Sequence, residues 1–239
     1  MVSGIIDIHT HILPGIDDGS RDWAETRTML SMAYEQGIRT IIATPHYSMH
    51  QVPERIRGLE VQAAEEARKI DPDFTVHLGQ EILYFDSIAE HLRDGHAFTI
   101  AGSRFILVEF LPNDSYHKIY QGIRKIQQSG YNPILAHIER YRSLRVEDHL
   151  EELEEMGCRC QMNYESLEGN PLHADVRWCR RQVKSGRIEL LGSDMHRMDF
   201  RKPRLKPALQ WLESHVEKDL IDAMTYKNAN AIIEHQQLD

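Results

Sequence analysis

Seven short β-rich runs, each followed by a longer segment of helical spacing, constrain this 239-residue chain more than any other feature. They cover residues 5–9, 40–44, 75–78, 105–109, 133–137, 159–163 and 189–192. Between them, apolar residues recur every three or four positions, as in Thr26, Met29, Leu30, Ala33 and Tyr34. That is the period of an amphipathic helix. Gly37, Gly130, Gly157 and Gly186 stand at the ends of several such segments, where a left-handed helix terminus favours glycine. Helix, glycine stop and β-run in alternation specify an α/β fold of parallel strands with crossover helices. About seven such units in this length predict a closed or nearly closed barrel. No linker-like composition or fixed-period repeat divides the chain, so one domain over residues 1–239 is expected. Helices from about residue 204 should pack on its outside, with breaks at Lys218-Asp219 or at 226–228.

Candidate metal ligands fall where these runs end. Asp7, His9 and His11 end the first, and His46 ends the second. Glu81 ends the third, Glu109 the fourth, His137 and Arg140 the fifth, and Asp194 and His196 the last. In parallel α/β arrangements the carboxyl ends of strands converge on one face, where catalytic groups collect. His9 and His11, two positions apart, would point to the same side and reach one ion together. A His-x-His pair alone is more often solvent-facing, and Asp194-Met195-His196 alone reads as a charged loop rim. Six strand ends carrying imidazole or carboxylate at the same relative position are hard to attribute to chance. Carboxylates with imidazoles and no thiolate suit Mn²⁺, Fe²⁺, Zn²⁺ or Co²⁺ in a catalytic cluster. Structural zinc would prefer paired thiolates, and Cys158-x-Cys160 lacks a companion pair, so burial in a strand is its expected role.

Charge narrows the partners. A net charge of −9 argues against nucleic acid held on a broad basic face. An acidic protein that handles phosphate must supply positive charge locally, through metal ions or a few arginines. The first residues carry Asp7, His9 and His11 within an apolar stretch and do not read as a secretory signal. No apolar run approaches bilayer length, and three cysteines suit a reducing cytosol, so a cytoplasmic, non-spanning protein is expected. Six residues beyond the cysteines stand Tyr164, Ser166 and Ser185, not the arginine that a cysteine phosphatase needs. Nucleophile elbow, P-loop and dinucleotide motifs are also absent from the sequence, which leaves metal-activated water as the best nucleophile.

Taken together, D-I-H-T-H-I-L-P-G-I-D-D-G, A-T-P-H, G-Q-E-I, V-E-F, A-H-I-E-R-Y and G-S-D-M-H resemble the polymerase and histidinol phosphatase (PHP) superfamily, in order from Asp7 to about Arg201. Within it, P-G-I-D-D-G, A-H-I-E-R-Y and S-D-M-H-x-x-D-x-R are most similar to the manganese-dependent tyrosine-protein phosphatases of bacterial capsule and exopolysaccharide loci. The resemblance implies an irregular (β/α)₇ barrel, a distorted TIM-like barrel, with three divalent ions at its C-terminal rim. Mn²⁺ is favoured, with Fe, Zn, Co or Mg as alternatives. His9, His11, Glu81 and Asp194 would hold the first ion. Glu81 would bridge to a second, completed by Glu109 and His137, and Asp18, His46 and His196 would hold the third. Asp7 would orient a histidine from behind. Arg140 and Arg201 would bind phosphate, since a guanidinium takes two oxygens at once, and His46 or His196 could donate a proton. Without the resemblance, Asp17-Asp18-Gly19 would read as an ordinary turn.

The implied substrate is phosphotyrosine on a protein, and the implied partner a bacterial tyrosine autokinase controlling polysaccharide export. Two rival readings use the same residues: a phosphatase of a small phosphomonoester such as histidinol phosphate, and a metal-binding regulatory protein without turnover. The chain follows the family at Gln161-Met162-Asn163 but departs at 169–173, which implies a different cleft lip. Asn228-Ala229 and Asn230-Ala231 stand where relatives often show Asn-Pro.

Overall fold

The computed structural model describes residues 4–146 and 148–238; the first three residues, part of the stretch read as no signal, lie outside it. Eight strands form among these residues: β1 Ile5–Thr10, β2 Ile38–Ala43, β3 Thr75–Leu78, β4 Glu81–Leu83, β5 Phe105–Glu109, β6 Asn132–Leu135, β7 Arg159–Asn163 and β8 Leu190–Gly192. Helices α1 Trp23–Glu35, α2 Pro53–Ile70, α3 Ile88–Arg93, α4 Tyr116–Gln128, α5 His149–Glu155 and α6 Ala174–Lys184 make the crossovers. Every ladder is parallel, in a sheet of order β1-β2-β3 and another of order β4-β5-β6-β7-β8. The α/β class is as the spacing predicts, but the eighth strand and the division into two sheets are not.

Glu81 explains the eighth strand and one of the two breaks between the sheets. Gly79 N–H still donates to Ala43 O at 2.8 Å, but Glu81 N–H turns to Pro45 O at 3.2 Å. Glu81 therefore opens β4 instead of ending β3. Where the sheets meet, pairing falls to single bridges, His46 with Glu81 and Thr10 with Met195. His11 N–H donates to Met195 O and Asp194 N–H to His9 O, both at 2.8 Å. No single closed ladder forms among the described residues; two irregular seams join the sheets, and both carry candidate ligands.

Alternation along the strands divides the core in two. Ile5, Ile41, Ile106, Val108, Leu135 and Leu191 pack with helix residues such as Met29, Leu30 and Ile119. Ile6, Ile8, Ile42, Leu107, Ile134 and Leu190 gather in a second cluster with Ala229 and Ile232. The tail, α7 Lys206–His215, α8 Lys218–Asp222, a π-turn Ala223–Lys227 and α9 Asn228–Ile233, is therefore not only an outer layer. α9 closes the second cluster. The break falls at Val216 and Glu217, just before Lys218; at 226–228 the helix runs on, and Asn228 Nδ2 donates to Glu189 O at 2.9 Å. No helix among the described residues is long and apolar enough to cross a membrane.

Gly192 couples this packing to the site. A Cβ there would lie 2.7 Å from His9 Cβ and 3.0 Å from Gln161 Nε2, distances that force β1 and β8 apart. Gly192→Ala should therefore cost about 1–3 kcal/mol of stability, the usual penalty for overpacking. Thermal unfolding should show a lowered midpoint both with and without added Mn²⁺; an unchanged midpoint would contradict this packing.

Candidate metal centre

The ends of the strands bring all nine predicted ligands together. His9 Nε2 and His11 Nε2 lie 3.3 Å apart, on the same side as their spacing predicts, although the β1 ladder is irregular between Asp7 and Thr10. Glu81 Oε2 stands 3.1 Å from His9 Nε2 and 3.3 Å from His11 Nε2, with Asp194 Oδ1 3.5 and 3.4 Å from the same nitrogens. One donor atom from each of these four buried residues falls within 4.8 Å of the others.

Two further groups share members with the first. His46 Nδ1 lies 3.1 Å from Glu81 Oε2 and 3.5 Å from Glu109 Oε1. His137 Nε2 approaches the same pair from the other carboxylate oxygens, 2.7 Å from Glu81 Oε1 and 3.4 Å from Glu109 Oε2. Asp18 Oδ1 faces His46 Nε2 at 3.6 Å and His196 Nε2 at 3.5 Å, and His11 completes that group. The geometry thus differs from the expected partition in one respect: His46 and His11 each stand between two groups.

The donor chemistry fits divalent cations. Glu81 Oε2 is buried, has three imidazole nitrogens within 3.3 Å, and makes no hydrogen bond. A buried carboxylate oxygen without a partner is strongly disfavoured, and a cation among those lone pairs removes the cost. Charge balance within the protein points the same way. Burial alone would lower His137, but Glu109 and Glu81 lift it to about 9. Burial likewise opposes protonation of His11, yet Asp17, Asp194 and Glu81 hold its pKa well above the usual histidine value. Glu81 and Asp194 sit well below the carboxylate range despite their burial, because the histidines surround them. Burial and the neighbouring His11 push His196 down to about 4. Protons and cations therefore compete for His11 and His137.

The groups that aim the histidines are not those expected. Asp7 does not hold a histidine ring; its Oδ1 accepts from Ser193 N–H at 2.9 Å and from His9 N–H at 3.4 Å, fixing the turn before Asp194. Its burial raises the carboxyl to about 6 against those bonds. His9 Nδ1 instead meets Gln161 Oε1 at 3.1 Å, and His11 Nδ1 meets Asp17 Oδ2 at 2.8 Å. Asp17 also accepts from His46 N–H and Gly19 N–H, both at 2.9 Å, and these partners hold it at about 2 in spite of its burial. Asn163 Nδ2 donates to Asp194 Oδ2 at 2.9 Å. Gln161 and Asn163, two positions apart on β7, share the face behind the site, so Gln161-Met162-Asn163 carried a usable signal. Asp17 was hidden inside a pattern that any turn can show.

Asp194 divides its two oxygens between two kinds of partner. Oδ1 faces His9, His11 and His196, whereas Oδ2 accepts from Arg140 Nη2, and from Arg201 Nη1 at 3.0 Å. Neighbouring cations do not compete for this place: Arg197 faces Asp199, and Arg204 pairs with Glu168 at 2.9 Å. His137, Asp194 and Arg201 have φ of 34°, 52° and 53°, three of the six left-handed non-glycine residues described. Such backbone costs of order 1–3 kcal/mol per residue and persists where surrounding contacts over-determine it. Within the 169–173 segment, Pro171 borders a groove over α6.

Removing Asp17 should loosen two histidines without emptying a ligand position. Asp17→Ala is expected to weaken Mn²⁺ binding roughly 10–100-fold, as loss of an orienting partner does, and also to lower the unfolding midpoint of EDTA-treated protein, because His46 N–H and Gly19 N–H lose their acceptor. Calorimetric titration with Mn²⁺ checks this, and wild-type affinity in the variant would remove Asp17 from the site.

Comparison with known proteins places these residues in a family. The model of the capsular polysaccharide synthesis family CpsB/CapC matches residues 5–234. Tyrosine-protein phosphatase CpsB of Streptococcus pneumoniae is 33% identical over 213 residues, 85% of this chain and 88% of that protein. Tyrosine-protein phosphatase YwqE of Bacillus subtilis is 32% identical over 242 residues, covering 98% and 93%. A crystal structure from work on YwqE and CpsB, described as metal-dependent tyrosine phosphatases, superposes with a TM-score of 0.88 at 32% identity, over 98% of this chain and 96% of that one. The phosphotriesterase homology protein of Escherichia coli, with a TM-score of 0.63 at 12% identity over 98% and 99%, shares the fold alone. The chain belongs to the CpsB/CapC family of capsular polysaccharide synthesis proteins.

Proposed function

We propose that this protein is a metal-dependent tyrosine-protein phosphatase that hydrolyses phosphotyrosine on proteins and regulates capsule or exopolysaccharide synthesis. The observation that carries the reading is Asp194, which joins a His/Glu cluster able to hold cations to two inward-turned guanidiniums. A cation cluster beside paired arginines suits a phosphoryl group, whose oxygens need charge stabilisation from several sides. Tyrosine-phosphatase relatives supply the substrate class.

His9, His11, Glu81 and Asp194 would hold one ion, Glu81, Glu109 and His137 with His46 nearby a second, and Asp18, His46 and His196 a third. We take these to be three divalent ions, Mn²⁺ first. Bound divalent ions lower the pKa of water from 15.7 towards ~7 and neutralise charge on phosphoryl oxygens. Arg140 and Arg201 would release Asp194 Oδ2 in part and take two phosphoryl oxygens, fixing the phosphorus for in-line attack. A tyrosyl leaving group has a pKa of about 10 and departs with little acid assistance. His46 and His196 are both read as candidates to pass a proton to the leaving oxygen, His46 being the more exposed of the two, at 36% against 2%. The two-seamed sheets are read as one distorted barrel-like domain. We further propose a cytoplasmic location and a tyrosine autokinase as the phosphoprotein partner.

Turnover of a phosphotyrosyl peptide and of histidinol phosphate by the same Mn²⁺-loaded protein tests this reading. The peptide should be preferred in kcat/KM, and EDTA should abolish activity on both. A preference for histidinol phosphate by orders of magnitude overturns the substrate, and full activity in EDTA overturns the metal dependence.

A further inference from the structure

Helices α6 and α7 border a groove of about 720 Å³ that lies apart from the metal-centre residues. Arg177, Arg180, Arg181 and Lys184 line it from α6, at positions i, i+3, i+4 and i+7, and so share one face of the helix. None of the four has a carboxylate within 4.0 Å among the described residues, although Arg145 and Arg187 beside them are paired with Asp175 and Glu151. Arg177 instead donates to Leu172 O, and Arg180 to Leu167 O at 2.8 and 3.0 Å. Arg180 and Lys184 lie 4.9 and 5.7 Å from the centre of the Trp211 ring, and Trp178 forms part of the groove wall. Like charges four residues apart on a helix destabilise it. On a chain of net charge −9, a stripe of four cations without carboxylate partners, two of them over the Trp211 indole, is a local reversal of sign.

The groove shares lining residues with hollows nearer the metal centre. Arg145 lines it and, in addition, a smaller hollow together with Glu165 and Glu168. Those two glutamates line the next hollow, whose far wall includes Ser193 and Arg201. Three hollows that share lining residues thus lie between Arg201, which pairs with Asp194, and the basic face of α6.

We propose that this groove is an exosite that docks an acidic stretch of the phosphoprotein substrate at a distance from its phosphotyrosine. The proposal rests on the phosphatase reading above. Charge complementarity selects an anionic partner, and the hollows between the groove and Arg201 select a polypeptide that occupies both places. A bilayer is disfavoured because the indoles do not project: Trp178 is 7% exposed and Trp211 lies beneath Arg180 and Lys184. The intervening belt of Glu165, Glu168 and Asp175 adds a constraint. Residues next to the phosphotyrosine should be neutral or basic, and the acidic stretch should begin only beyond them.

Arg177, Arg181 and Lys184 are exposed, so charge reversal there leaves the core intact. The experiment compares wild type with the Arg177→Glu/Arg181→Glu/Lys184→Glu variant, and with one carrying Arg177→Lys and Arg181→Lys. Each is assayed with Mn²⁺ on p-nitrophenyl phosphate and on phosphotyrosyl peptides with and without a hexaglutamate tail set off by a glycine-serine spacer. The reversed variant should match wild type on p-nitrophenyl phosphate and on the tailless peptide. On the tailed peptide it should lose about tenfold or more in kcat/KM, through KM and most strongly at low salt, while the lysine variant keeps the preference. Equal losses on all substrates, or no tail preference in wild type, overturns the proposal. So does a variant that loses only binding to phosphatidylglycerol vesicles. Binding of the unphosphorylated hexaglutamate peptide, read by quenching of tryptophan fluorescence, reports on the groove without catalysis. If wild type binds that peptide but turns over nothing, the phosphatase reading fails and the acidic-peptide site stands; absence of quenching rejects the site even if turnover is intact.

Discussion

Burying the Glu81 carboxylate among the rings of His9, His11 and His46 is the constraint on which the rest of the structure depends. Its Oε2 has no hydrogen bond, and its Oε1 is committed to His137 at 2.7 Å. In a low-dielectric site such a group needs protons on its neighbours or a cation between them. The lifted values at His11 and His137 are the protein's proton-based answer, and divalent ions are the alternative that leaves the imidazoles free to act as ligands. Placing Glu81 there also shapes the backbone. Its amide leaves the β3 register for Pro45, which starts a separate strand and opens one of the two seams between the sheets.

The second seam applies the same logic to Asp194. Its amide donates to His9 O, its φ is 52°, and its two oxygens face the histidines on one side and the arginines on the other. Regular pairing would have kept these side chains at strand spacing. Two interrupted ladders let them converge within hydrogen-bonding range, and packing of the two apolar clusters holds the interruptions in place. Asp7, Gln161, Asn163 and Asp17 complete the arrangement from behind, each bonded to the backbone or side chain of a candidate ligand or of its immediate neighbour.

Much of this was legible in the residues. Period-two alternation at His9 and His11 predicted a shared side, and the recurrence of imidazole or carboxylate at strand ends predicted convergence. Asp18 became visible only through family resemblance, because Asp-Asp-Gly is also what a plain turn looks like. Asp17 was not legible at all, since its role comes from His11 and His46, one of them 29 residues away in sequence. β4 was missed because three residues carry too little periodicity, and its start depends on a tertiary bond from Glu81 to Pro45. The continuous tail helix was missed for a related reason. Asn228 looks like a break, yet its side chain is satisfied by Glu189 O across the fold.

If Glu81 is the shared anchor of the cluster, removing its charge must cost more than one ion. The direct test is metal content of freshly purified wild type and Glu81→Gln, combined with anomalous diffraction at the manganese edge. Wild type should show three occupied positions, with Glu81→Gln losing the two that share its carboxylate and keeping density beside Asp18, His46 and His196. Full occupancy in Glu81→Gln, or metal bound away from these residues in wild type, would contradict the account.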